Sequence, residues 1–80
     1  MRASRAFELK VVRGGRAPAF LAAPDRVDRI EVVEIDSGEV VLLWDLPPRQ
    51  ASRLARALRE DMRRLDAAAF LAAWQPAQQG

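Results

Sequence analysis

"RVDRIEVVEIDSGEVVLLWDL", residues 26–46, contains two runs rich in valine, isoleucine and leucine, residues 26–35 and 39–46, separated by Asp36-Ser37-Gly38. Runs of this length and composition on either side of a glycine-containing triplet read as a β-hairpin, because Gly38 takes the positive φ of a reversal without steric cost. The first run does not alternate cleanly: Ile30 and Val32 share one face, while Val33 and Ile35 share the other. Such a change of phase predicts a bulge near Val32-Val33 or burial of both faces in mid-strand. The second run places Val40, Leu42, Trp44 and Leu46 on one face, with Val41 and Leu43 opposite. Apolar residues on both faces predict a sheet covered on both sides. Only one long helix is evident in the chain, so the second cover is expected from a partner subunit.

On the N-terminal side, residues 5–13 alternate, with Phe7, Leu9 and Val11 on one face and Glu8 and Lys10 on the other. This is the pattern of a half-buried strand. Gly14-Gly15 suits a two-residue primed turn leading into a return piece, residues 16–24. Pro18 would remove a ladder donor there and leave an edge strand or a loop.

On the C-terminal side, Pro47-Pro48 opens a helix, since proline at the first helical positions gives up only N–H groups that have no partner anyway. Asp45 just upstream is expected near the positive end of the helix dipole. At ~100° per residue, Ala51, Leu54, Ala55, Leu58, Met62 and Leu65 fall in one arc. The six arginines, Arg49, Arg53, Arg56, Arg59, Arg63 and Arg64, fall in an arc on the opposite side. The chain runs straight on into "DAAAFLAAW", residues 66–74. A continuous helix would project Phe70 and Trp74 on the arginine side, where two large aromatics are not left in water together. Either Asp66 caps a second short helix over 67–74 that folds back, or the long helix offers Phe70, Leu71 and Trp74 to another molecule. In both versions the expected apolar anchors of a dimer contact are Trp44, Phe70, Leu71 and Trp74. Arg53, Arg56, Arg59 and Arg63 form its expected polar rim.

These elements predict an α+β fold: an antiparallel three- to four-stranded sheet in β-β-β-β-α order, with a long amphipathic C-terminal helix packed on one face. One domain is expected over residues 1–75, with a polar tail over 76–80. A chain of 80 residues builds a thin core that leaves roughly 40% of the unfolded-chain surface exposed, and such cores gain stability by pairing with a second copy. A homodimer is therefore expected.

Composition narrows the chemistry. The chain has no His, Cys or Tyr, and neither Thr nor Asn occurs in it. A serine nucleophile would lack an imidazole base, and the acids are scattered singly rather than at metal-loop spacing. No catalytic role, cofactor or metal is expected. Thirteen basic against eleven acidic residues leave a net charge of +2, distributed unevenly. Residues 1–16 and 49–66 are basic, whereas residues 25–45 hold seven acids against two arginines. No window approaches the ~20 apolar residues of a membrane span, and the first residues alternate rather than forming an apolar leader. A soluble cytoplasmic protein is expected.

The functional expectation is a non-catalytic interaction or accessory module that acts through self-association and a protein partner. The alternative is nucleic-acid binding by Arg49, Arg53, Arg56, Arg59 and Arg63 together with the basic N-terminal strand. Small single-strand binders share the strand-then-helix order, but they stack bases on exposed aromatics between basic residues. Glu8, Lys10, Glu31 and Glu34, the outward strand positions expected here, are mostly acidic.

Overall fold

A computed structural model of the chain describes residues 1–15 and 27–79. Among these, three strands make one antiparallel sheet in the order β1-β2-β3: β1 is Phe7–Gly15, β2 is Val27–Glu34 and β3 is Val40–Leu46. The sheet has three strands where three to four were expected, and the return piece of residues 16–24 lies outside the described residues.

Gly14-Gly15 does not form the expected two-residue turn. β1 runs on to Gly15, which pairs with Val27 after a register shift between Val12 and Gly15. Gly14 supplies its positive φ of 70° to this irregularity instead. Its N–H donates to the Asp28 carboxylate at 3.0 Å, which gives the buried Asp28 side chain a partner in the main chain.

The hairpin forms as its sequence predicts. Gly38 has φ 74°, Gly38 N–H donates to Glu34 C=O, and Glu34 N–H donates to Glu39 C=O. The phase change resolves as burial of both faces in mid-strand, with Val32 and Val33 buried on opposite sides of β2, and a bulge lies opposite them on β3. Val32 pairs with Leu42 and Val33 with Val40, so Val41 is the extra residue. The bulge moves Val40 off the face of Leu42, Trp44 and Leu46 and turns it to the Leu43 side. Val41 packs at the border of the core.

The sheet therefore has two unlike faces. Paired residues share a face, so Phe7, Leu9, Val11, Ile30, Val32, Leu42, Trp44 and Leu46 lie together. Across them packs α2, Pro48–Arg64, which buries Ala51, Ala55, Leu58 and Met62. The opposite face carries Glu8, Lys10, Val12, Arg29, Glu31, Val33, Val40, Leu43 and Asp45. Arg29 Nε donates to Asp45 Oδ1 at 3.0 Å across β2 and β3, and this hydrogen bond, with the guanidinium charge, holds the Asp45 carboxyl below its ordinary range. Asp45 is thus engaged on the sheet rather than at the start of the helix. α2 begins with Pro47 as N-cap and has no side-chain cap.

α2 is neither the last element nor continuous with the next helix. It spans 17 residues, and the chain is extended at Leu65 and Asp66 before that second helix, α3, Ala67–Trp74. The Asp66 carboxylate accepts from Ala69 N–H at 3.4 Å, as an N-cap does. Of the two expected versions the fold-back is the one observed. A one-turn helix, α1, Ala3–Ala6, which is too short to show periodicity in sequence, helps to hold the reversal. Ala3 N–H donates to Leu65 C=O and Ala67 N–H to Met1 C=O. Residues 75–79 form a 3-10 helix along the edge of β3, where Gln78 Oε1 accepts from Leu43 N–H at 2.7 Å.

Phe70 is fully buried in the core. Phe70→Ala should therefore cost about 3–5 kcal/mol, whereas Asp66→Ala should cost about 1 kcal/mol. Urea unfolding followed by circular dichroism measures both, and equal costs would contradict the fold-back.

Candidate functional site: an arginine-rimmed groove beside the edge strand

The two flanks of α2 are occupied differently. At ~100° per residue, Leu54 and Asp61 lie to one side of the buried stripe, and Ser52, Arg56, Arg59 and Arg63 to the other. The Asp61 flank is closed by α3. Trp74 Nε1 donates to Asp61 Oδ2 at 2.9 Å, and Arg64 donates to Asp61 Oδ1 at 2.9 Å. That hydrogen bond, ahead of the carboxylate charge, raises the Arg64 pKa above its ordinary value. Trp74 stands edge-on to Trp44 with centroids 6.1 Å apart. Phe70 lies 6.5 Å from Trp74 and 5.7 Å from Phe7.

The other flank faces β1 and holds an open groove of about 670 Å³. Leu9 and Val11 from β1 meet Ala51, Ala55 and Met62 from α2 along its apolar floor. Arg13, Arg56, Arg59 and Arg63 stand around it, with Asp28 and Glu60 as the two carboxylates of the wall. Arg63 pairs with Glu60, and Asp28 accepts from Gly14. Arg13, Arg56 and Arg59 have no ion-pair partner among the described residues. Among the described residues, four arginines against two carboxylates make the wall electropositive.

β1 is also an edge of the sheet among the described residues. Glu34 N–H points to β3, at Glu39, and Ile35 N–H points to the β1 side, at Ala6. Alternation along the ladder then turns Arg29, Glu31 and Val33 toward their partners Val12, Lys10 and Glu8. The N–H and C=O of Leu9 and Val11 consequently face the outer edge, beside the groove. Leu43 N–H faces outward on the far edge by the same rule, where Gln78 takes it up.

The predicted anchors are brought together around the molecule's own core. Phe70 has 0% exposure, so it is closed to a second molecule; Trp44, Leu71 and Trp74 are half-buried around the same core. The predicted arginine face divides. Arg56, Arg59 and Arg63 belong to the groove, Arg49 and Arg53 flank a shallow hollow with Pro48 and Ser52 at the start of α2, and Arg64 is held by Asp61 on the opposite flank. Sequence reasoning missed Arg13 and the floor residues as a site. The alternation that puts Leu9 and Val11 on one face also carries Arg13, in phase with them, and that signal lies in the sequence.

The chain matches no family model, and no curated protein or solved structure is significantly similar to it. Among the described residues no helix is long and apolar enough to cross a membrane, and no group of three or more acidic, histidine or cysteine side chains could hold a metal ion.

A groove kept open for binding need not support the fold. Arg56→Ala and Arg59→Ala should each leave stability within about 0.5 kcal/mol of wild type. Asp61→Ala, which strips the acceptor from Trp74 and Arg64, should cost about 1–3 kcal/mol and shift tryptophan emission to the red. Chemical denaturation with fluorescence detection checks both.

Proposed function

We propose that this protein is a small non-catalytic interaction module, and that its working surface is the groove between α2 and β1, which takes an acidic, partly apolar segment of a protein. One observation carries this reading: Arg13, Arg56 and Arg59 stand around an apolar floor without ion-pair partners among the described residues. Guanidinium groups that merely solubilise a helix need no apolar floor beside them. Conversely, a floor on which Leu9 and Val11 are half-exposed suits aliphatic side chains, with the arginines meeting carboxylates at the rim. The outward N–H and C=O groups of Leu9 and Val11 add main-chain bonds for an extended segment.

Nucleic-acid binding is the second reading, supported by Arg49 and Arg53 at the helix start in line with the groove arginines. It is the weaker one. Among the described residues the sheet face away from α2 carries no aromatic side chain to stack a base, and Glu8, Glu31 and Asp45 are spread across it.

Fluorescence anisotropy separates the two. A labelled extended peptide alternating Glu and Leu should bind, with affinity falling as salt rises and roughly tenfold or more weaker for R56E/R59E. A Lys/Leu peptide and single-stranded DNA should bind more weakly than the acidic peptide. Preference for DNA at low salt would reverse the order of the two readings, and no binding of any probe there by monomeric protein would refute both.

A further inference from the structure

The acids that could satisfy the groove are present in the chain, at the far end of the sheet. The turn between β2 and β3 presents Asp36 and Glu39 with no ion pair among the described residues. Glu34 beside them accepts from the Ser37 hydroxyl at 2.7 Å. Flanking these carboxylates, Ile35 is 52% and Val40 47% exposed, and Val40 is turned outward by the Val41 bulge. The tip thus combines three carboxylates with two exposed aliphatic side chains. The groove offers the converse, an apolar floor ringed by three arginines that lack acidic partners among the described residues.

The tip points away from the groove of its own chain, and the Arg13–Asp28 end of that groove lies farthest from it. Phe7 pairs with Glu34 at the tip end of the sheet, whereas Arg13 and Asp28 line the groove toward the opposite end. Glu34 and Asp28 lie six positions apart along an extended strand, a distance of roughly 20 Å, and the hairpin points away along that axis. Its turn is held by main-chain bonds at Glu34, Gly38 and Glu39, so it would dock as a preformed wedge with little ordering cost.

We infer that the acidic segment bound in the groove belongs to a second copy of this chain: the β2–β3 tip of each protomer seats in the α2–β1 groove of the other. The exchange is reciprocal about a two-fold axis, which closes the assembly as a dimer with two identical contacts. Arg56 and Arg59 meet Asp36 and Glu39 across each contact, and Ile35 and Val40 cover the floor. This inference rests on the reading of the groove as a site for an acidic protein segment.

Charge reversal tests it on the full chain. Sedimentation equilibrium at high micromolar protein should show a dimer for wild type. R56E/R59E and D36R/E39R should each, alone, associate at least roughly tenfold more weakly, because each places like charges across both contacts. Mixed in equal amounts the two variants should recover the dimer, since both contacts then pair opposite charges again. All four positions are exposed on the surface, and circular dichroism of each variant checks that the fold is kept. A monomeric wild type, dimers that survive either reversal, or a mixture that fails to recover would each overturn the inference. The acidic Glu/Leu peptide distinguishes the two levels of failure. If it binds a monomeric wild type but not R56E/R59E, the groove reading stands and only the second copy falls. If it binds neither and wild type is monomeric, both fall.

Discussion

A row of four aromatic rings joins the two edges of the molecule. Phe7, Phe70, Trp74 and Trp44 succeed one another at centroid separations of 5.7, 6.5 and 6.1 Å, linking the start of β1 to β3 through α3. Tilted and edge-on pairs of this kind contribute about 0.5–1.5 kcal/mol each beyond the area they bury. Their larger effect is on shape. Phe70 can enter the core only if the chain reverses after α2, and the reversal carries Trp74 to the β3 side of that helix. There Asp61 accepts its indole N–H. α3 is spent on one flank of α2, and the opposite flank, along β1, is left as a groove.

Two irregularities in the sheet then shape its ends. At one end Gly14 adopts a left-handed conformation within β1 and donates to Asp28, beside the groove. At the other end the Val41 bulge turns Val40 outward next to the acidic hairpin tip. Each breaks the two-residue period locally, and each stands next to one of the two complementary surfaces. Charge follows the same division. The basic segments, residues 1–16 and 49–66, contribute the groove wall, and the acidic segment, residues 25–45, contributes the tip.

Much of the candidate site is present in the sequence without being assembled there. Helix periodicity singles out Arg56, Arg59 and Arg63, and they do lie together. Arg13 is in phase with Leu9 and Val11, yet nothing in local pattern says that this end of β1 lies beside Arg56 and Arg59 of the helix. That proximity depends on the direction in which α2 crosses the sheet. Phe70 fails as a surface residue for a related reason. Phe70 and Trp74 are out of phase with the α2 stripe, and phase cannot distinguish an aromatic offered to a partner from one returned by a reversal.

Elements carrying their own physical signal are legible in the residues alone. Gly38 in its triplet marks the hairpin, the prolines mark the start of α2, the leucine–alanine stripe marks its buried face, and Asp66 marks a possible second helix cap. Each rests on backbone sterics, helix geometry or a hydrogen bond within a few residues. Only the tertiary structure decides each choice between two locally allowed outcomes. Gly14 serves a bulge rather than a turn, Val41 rather than Val33 is the extra residue, Asp45 pairs with Arg29 rather than facing the helix, and Phe70 turns inward. These alternatives differ little in local energy, and contacts between residues far apart in the chain select among them.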